Sequence, residues 1–315
     1  MLSLVIPVYN EENLLDELIR RTVSSLESFI ADYEIIIVDD CSTDNSLEKL
    51  IALRSKHRKI KILSLSRNFG HQAAFTAGLE HAKGDIIAMM DGDLQDPPEL
   101  LAEMYRKIKD EKFEVVSGKR TGRRGKKGKN LVTSIFHFIF RNIGEIRNME
   151  NYGNFSMMTR EALNALLSMK EKVRYLPGLR TFIGFRQGSV EYVRDVRHTG
   201  EPKMSFRNLL FLAADAIFSF SRFPIRCCLV LGITGALIFL AAGTITLILN
   251  LSGSDTGKWS PELMSIWFLG SVQLIFLGIL GEYVYRNYKE AQNRPVYFIR
   301  KCIEDGPEND ESKKD

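Results

Sequence analysis

Residues 84–98 read Gly84-Asp85-Ile86-Ile87-Ala88-Met89-Met90-Asp91-Gly92-Asp93-Leu94-Gln95-Asp96-Pro97-Pro98. An apolar run of strand length is broken abruptly by carboxylates, and Asp96-Pro97-Pro98 then carries the signature of a helix start. Strand, acidic turn and helix start in succession are the parts of an α/β unit, whose ligands gather beyond the carboxyl ends of the strands. Two aspartates one residue apart at the end of a buried strand are costly unless something positive neutralises them. A hard divalent cation does so, sharing its remaining positions with substrate phosphates and water. Asp91 and Asp93 therefore point to a hard cation such as Mg2+ and a phosphate-bearing substrate. A solvated Asp-Gly turn is the simpler account of the bare triplet, and the flanking sequence has to decide between them.

Outward from this stretch, short apolar runs rich in Ile and Val at 2–8, 34–38, 60–65, 85–90 and 113–117 predict strands. Helical patterns at 13–30, 44–56, 72–82 and 98–110 separate them. The alternation predicts an α/β fold with a doubly wound, mostly parallel sheet. Its strand ends carry Pro7-Val8-Tyr9-Asn10-Glu11, Asp39-Asp40-Cys41-Ser42-Thr43-Asp44, Ser66-Arg67-Asn68-Phe69-Gly70-His71 and Asp91-Gly92-Asp93. No Gly-rich dinucleotide or P-loop motif occurs, so those chemistries lack their mechanical parts. A carboxylate such as Asp39 or Asp40 can accept from a base or ribose, Tyr9 can pack on a ring, and a metal at Asp91 and Asp93 can bridge a pyrophosphate. Together they describe a nucleotide-diphosphate site. Ser42, Thr43 and Asp44 are accounted for as turn and helix-cap residues, His71 as a helix-start residue and Arg160 as a surface charge.

The chain has 315 residues, 45% hydrophobic and 26% charged, with a net charge of +4. That average hides a split, because residues 227–251 and 263–281 contain no charged side chain. About 20 apolar residues cross a bilayer as a helix, so both stretches predict transmembrane spans. Arg222 and Arg226 precede the first; Arg286, Lys289 and Arg294 follow the second; the loop between offers one basic residue, Lys258. The positive-inside rule then places both termini in the cytoplasm of a multi-pass inner (plasma) membrane protein, and no signal peptide is expected. Trp259 and Trp267 fall where an interfacial aromatic belt is expected. Cys41, Cys227, Cys228 and Cys302 form no zinc or redox spacing and fit a reducing compartment. Residues 119–129 hold seven basic side chains and no acid. Without interleaved aromatics they suit an anionic headgroup or lipid phosphate better than nucleic acid. The expected domains are a cytoplasmic catalytic domain (1–204), an interfacial helix (205–225), a two-helix membrane domain (226–285) and a cytoplasmic tail (286–315) whose mostly charged end, 305–315, is expected to be disordered.

The runs Val5-Ile6-Pro7-Val8-Tyr9-Asn10-Glu11, Val38-Asp39-Asp40-Cys41-Ser42-Thr43-Asp44 and Asp91-Gly92-Asp93-Leu94-Gln95-Asp96-Pro97-Pro98 resemble the inverting family-two glycosyltransferases of GT-A fold. With the paired spans, the chain is similar more narrowly to the polyprenyl-phosphate group, which includes dolichol-phosphate mannose synthase and the bactoprenol glucosyltransferases. The resemblance implies that Pro7, Tyr9, Glu11, Asp39 and Asp40 bind the nucleoside. Asp91, Gly92 and Asp93 would bind the diphosphate, through Mg2+ or Mn2+ at the two aspartates, with Gln95 beside the reacting sugar. Arg197 and Lys203 would contact phosphates, and Arg120, Arg124 and Ser134 the acceptor phosphate. One departure stands out: relatives often carry an aspartate, proposed as a base, where this chain has Asn154. An amide cannot take a proton, but a phosphate monoester with a second pKa of about 6 is already a dianion at neutral pH. Asn154 would then orient the acceptor or sugar.

The implied function is transfer of a hexose, by default glucose from UDP-glucose, onto undecaprenyl phosphate with inversion, for cell-surface polysaccharide or O-antigen modification. A flippase and a second copy of the chain are the implied protein partners, with the bilayer as support. Aminosugar or mannose transfer is the sibling alternative, and a catalytically silent membrane scaffold for a flippase is the alternative of another class. A processive synthase is disfavoured, since no Gln-x-x-Arg-Trp motif is present.

Overall fold

The computed structural model describes residues 1–121, 152–172, 174–193, 223–252 and 261–304, which fall into two compact units. The first comprises the described residues up to 193 together with 295–304. Its heart is four strands that read as near-continuous apolar runs because both faces are covered. They are β1 (Leu2–Val8), β2 (Tyr33–Asp39), β3 (Ile60–Leu65) and β4 (Ile86–Met89), parallel to one another in the order β4-β1-β2-β3. The crossovers are α1 (Leu15–Glu27), α2 (Ser46–Lys56) and α3 (His71–His81), and α4 (Leu101–Lys109) follows β4. A 3-10 turn, Pro98–Leu100, leads into α4, as Pro97-Pro98 predicts.

Successive side chains of a strand point to opposite faces, and β1 feeds two cores. Leu4, Ile6 and Val8 pack with Leu15, Leu18 and Leu26 of α1 and Leu101 and Met104 of α4. Val5 packs on the other side with Phe75 and Ala77 of α3. The helix can lie this close because residue 78 is glycine: a Cβ there would stand 2.2 Å from Val5 Cγ1.

The rest of the sheet departs from the expected parallel pattern. β5 (Val115–Arg120) and β4 flank β6 (Tyr152–Thr159), which runs antiparallel to both, and β7 (Gln187–Tyr192) pairs parallel with β5. On the far edge β8 (Ile299–Ile303) pairs antiparallel with β3, giving the order β7-β5-β6-β4-β1-β2-β3-β8. The sheet is therefore mixed, and part of the segment expected as tail is an edge strand. Among the described residues, two further helices belong to this unit. α5 (Arg160–Ser168) is capped by Thr159 Oγ1, which accepts from the Ala162 N–H at 3.3 Å, and α6 is Leu176–Phe182.

The second unit contains α7 (Phe223–Leu251) and α8 (Pro261–Ala291). They touch where Gly235 admits Phe268; a Cβ on residue 235 would lie 2.5 Å from the ring. Apolar side chains point outward from both helices, Leu240 and Leu274 being 71% exposed each. Among the described residues one segment, Phe268–Ala291, is long and apolar enough to cross a membrane by length and composition, at mean hydropathy 1.5. The expected interfacial helix at 205–225 lies outside the described residues except for its last three, and Trp259 lies outside them altogether.

Candidate active site

The carboxyl ends of β1, β2, β3 and β4 open into one cavity of about 380 Å3, lined by Pro7, Val8, Tyr9, Glu11, Asp40, Asn68, Gly70, His71, Ala74, Asp91, Gly92 and Asp93. Its walls are built by hydrogen bonds between strand-end loops. Asn10 N–H donates to Ser42 Oγ at 3.0 Å, Thr43 N–H to Asn10 Oδ1 at 2.8 Å, and Glu11 N–H to Ser46 Oγ at 3.0 Å. Ser42, Thr43 and Asp44 are thus taken up in loop contacts; Asp44 Oδ1 accepts from Ser46 N–H at 3.0 Å, while the N-cap position of α2 itself is Asn45.

The adjacent aspartates at the carboxyl end of β2, Asp39 and Asp40, make different contacts. Asp39, 1% exposed, accepts from Ser42 N–H at 3.0 Å and from Ser64 Oγ at 3.1 Å, and it does not line the cavity. Asp40 does line it, and grips the turn after β3 by accepting from Phe69 N–H at 2.8 Å and Gly70 N–H at 2.9 Å. Burial raises the Asp40 carboxyl above its ordinary range, and those two backbone donors oppose the rise.

Backbone strain collects around the same opening. Asn10, Cys41 and Leu94 adopt left-handed conformations with φ of 54°, 60° and 57°, one each beyond β1, β2 and β4. Asn tolerates this region; Cys and Leu do so at a cost of about 1 kcal/mol or more, of the kind found at ligand-binding turns. Gly92 is a glycine for a steric reason, since a Cβ there would lie 2.8 Å from the Pro7 carbonyl oxygen. Gly92→Ala is expected to push Asp91 and Asp93 off their positions and lower turnover about a hundredfold with the fold retained, measured by steady-state kinetics beside a thermal melt.

Asp91 and Asp93 are part of this cavity's lining. Asp93 Oδ1 accepts from Gln95 N–H at 3.1 Å, which is what Gln95 visibly does; its side chain is not among the cavity's lining. Asp91 Oδ1 is 3.1 Å from His71 Nε2. Burial alone would lower the His71 pKa, but the hydrogen bond to Asp91 and the charges of Asp91, Asp93 and Asp40 hold it above the ordinary value. Among the described residues no group of three or more His, Cys, Asp or Glu side chains forms a closed metal cage. Two hard carboxylates on an open cavity nonetheless fit Mg2+ or Mn2+, which take few protein ligands and complete their shell with phosphate oxygens and water.

A hydrogen-bonded series leads inward from His71. Its Nδ1 is 3.5 Å from Asn154 Nδ2, Asn154 Oδ1 accepts from Gln72 Nε2 at 3.2 Å, and Gln72 Oε1 accepts from Leu176 N–H at 3.0 Å. The backbone donor fixes how Gln72 is turned, and Gln72 in turn fixes Asn154. Below them the buried Arg180 donates to Ser156 Oγ at 2.6 Å, Asn154 O at 3.3 Å and Gly153 O at 2.9 Å. Arg120, at the end of β5, donates through Nε to Tyr192 Oη at 3.1 Å and lies 3.7 Å from Asp96 Oδ1, to which Tyr192 also donates. Its guanidinium lies over Gly153, where a Cβ would come within 2.5 Å. Arg124, Ser134, Arg197 and Lys203 lie outside the described residues.

His71, Gln72 and Arg180 were not marked as site residues by the sequence. His71 could have been, by the strand-end rule that marked the others. Arg160 corrects the surface-charge reading: its guanidinium donates to Gly84 O at 2.9 Å and Ala82 O at 2.8 Å, fastening the turn that feeds β4.

The family model described as Glycosyl transferase family 2 matches residues 3–167. An uncharacterized glycosyltransferase of Synechocystis sp. is 38% identical over 300 residues, covering 95% of this chain and 94% of its own. The SfII prophage-derived bactoprenol glucosyl transferase of Shigella flexneri is 34% identical over 308 residues, covering 97% of this chain and 99% of its own. Among solved structures, glucosyl-3-phosphoglycerate synthase from Mycobacterium tuberculosis, in complex with Mn2+, UDP-glucose and phosphoglyceric acid, aligns at 21% identity and TM-score 0.47 over 69% of this chain and 77% of that one.

Proposed function

The chain belongs to glycosyl transferase family 2, and we propose that within it the protein moves glucose from UDP-glucose onto a polyprenyl phosphate with inversion. One observation carries this reading: the strand-end cavity gathers Pro7, Tyr9, Glu11, Asp40, Asp91, Gly92 and Asp93. The end-to-end likeness to a bactoprenol glucosyl transferase supplies the acceptor.

In this reading Tyr9, 37% exposed at the mouth, packs on the base, and Glu11 and Asp40 line the nucleoside end. Asp91 and Asp93 would hold Mg2+ or Mn2+, which supplies positive charge where the diphosphate leaves. His71 keeps the Asp91 carboxylate in place, and Asn154 lies on the same hydrogen-bonded series, within reach of the sugar side. No base is needed, because the attacking lipid phosphate is a dianion at neutral pH. The work of the residues is alignment of two anionic substrates and electrostatic relief between them. Arg120 contributes to that relief from the end of β5, and Arg124, Ser134, Arg197 and Lys203 are assigned the same task by resemblance.

The acceptor's tail calls for a bilayer. We assign α7 and α8 as two spans, supported by their length, their uncharged stretches and their outward apolar side chains. The basic flanks then put the catalytic unit and both termini on the cytoplasmic side. The test is a nucleotide-release assay on detergent-purified protein, with Mn2+, undecaprenyl phosphate and a panel of nucleotide sugars. UDP release from UDP-glucose that requires the lipid phosphate supports the reading. Release from another donor alone moves the assignment to aminosugar or mannose transfer, and no release from any donor favours the scaffold.

A further inference from the structure

The first unit contains a piece of chain that the catalytic reading does not use: residues 295–304, which follow α8 in sequence and return to the sheet. Without them β3 would be an open edge. β8 covers that edge with Ile303 opposite Ile62, Cys302 opposite Leu63 and Lys301 opposite Ser64. Its far end is fastened by Glu304, whose carboxylate lies 2.7 Å from the buried Lys61 ammonium and 3.5 Å from Lys83. Two ion pairs tied down at a sheet edge fix register as well as adding attraction.

The near end reaches the donor cavity. The ladder shifts register between Ser64 and Leu65, and Ser66 N–H then donates to Phe298 O at 2.9 Å. The Phe298 ring packs against Phe69 at 6.1 Å between centroids, and the other approach to Phe69 is taken by the Arg67 guanidinium, 4.7 Å from the ring centre. Tyr297 donates its hydroxyl to Glu80 of α3 and packs, with Ile299 and Phe69, against the core beneath. Phe69 and Gly70 are the residues whose N–H groups Asp40 holds, and Asn68, Gly70 and His71 line the cavity. The turn 66–71 is thus held from inside by Asp40 and from outside by 297–298. Gly70, at φ 93°, is in a conformation that glycine adopts readily.

We propose that residues 295–304 are a positioning buttress of the donor site: they fix the turn 66–71, and the donor cavity reaches binding geometry when this segment is seated on β3. The consequence is an order of events. The chain reaches the buttress after α7 and α8, so a catalytic unit whose helices have not yet been made holds the donor weakly, and donor binding waits for the membrane segment. This rests on the cavity being the donor site.

The experiment uses the full chain in detergent. Phe298 is 54% exposed, so Phe298→Ala removes the ring against Phe69 with little loss of buried surface. Tyr297→Phe removes one hydroxyl and keeps the ring. UDP affinity is measured by calorimetry with Mn2+ present, alongside KM and kcat for UDP-glucose and a thermal melt. Loosening about one residue of the turn costs about tenfold in affinity. Phe298→Ala is therefore expected to raise the UDP dissociation constant and the donor KM about tenfold with kcat within about threefold, and Tyr297→Phe to move both the same way by about threefold. Should Phe298→Ala fail to fold, the Tyr297→Phe shift decides alone. Wild-type donor affinity in folded variants, or a fall in kcat with KM unchanged, would overturn the buttress. Absence of UDP binding by the wild-type protein would instead overturn the donor site on which it rests.

Discussion

Asp93→Asn is expected to lower transfer by at least about a thousandfold while leaving the fold intact. The substitution is nearly isosteric, and Asn Oδ1 can still accept the Gln95 N–H that Asp93 Oδ1 accepts at 3.1 Å, so the turn keeps its internal bond. What disappears is one of the two negative charges that the proposed reading sets against the donor diphosphate. A thousandfold is about 4 kcal/mol of transition-state stabilisation, a reasonable share for a group that holds the counter-charge of the leaving diphosphate. Asp91→Asn should cost as much and in addition disturb His71, whose Nε2 stands 3.1 Å from the Asp91 carboxylate. Steady-state turnover and a thermal melt on the same preparations separate chemistry from stability. Substantial Mn2+-dependent turnover by Asp93→Asn contradicts the role given to that residue.

Arg180→Leu has the second large expected effect, and on a different quantity. Arg180 is 2% exposed, and its guanidinium supplies donors to Ser156 Oγ, Asn154 O and Gly153 O. Leucine roughly fills the space, so the dominant loss is of donors, and buried acceptors left without them cost about 1–3 kcal/mol each. A destabilisation of about 3–5 kcal/mol is expected by chemical denaturation. The segment it frees carries Asn154, which faces His71 and Gln72, so the folded fraction should also transfer poorly. Arg180→Lys keeps the charge but cannot reach three acceptors from one rigid plane, and should fall between. Wild-type stability in Arg180→Leu would show that these carbonyls find donors elsewhere.

The strands and helices legible in advance were those whose burial leaves a plain pattern. β1 to β4 are covered on both faces, so Leu2–Val8 and its neighbours read as mostly apolar runs. β6 contains Gly153, Asn154 and Ser156, and β8 contains Arg300 and Lys301; neither resembles a buried strand, because one ends in the site and the other is an edge. The site followed a similar rule. Pro7, Tyr9, Glu11, Asp40, Asp91 and Asp93 could be expected to share one cavity because strand ends converge, and they line one. Asp39 and Asp40 could not be told apart, since adjacent residues face opposite ways and the register of the loops decides which one meets the cavity. The approach of His71 to Asn154, 83 positions apart, depends on an antiparallel strand the sequence did not announce. The left-handed Cys41 and Leu94 leave no compositional trace, because the usual marker of such a turn is glycine or asparagine.

The account is tested most directly by following the sugar itself. Purified protein is incubated with undecaprenyl phosphate, Mn2+ and UDP-glucose labelled in the glucose, and the label entering the organic phase is counted against reactions lacking the lipid or containing Asp93→Asn. The account predicts lipid-linked label that requires the lipid phosphate and is lost with Asp93. Label that stays in water as free glucose, or that enters the lipid equally well without Asp93, would contradict it.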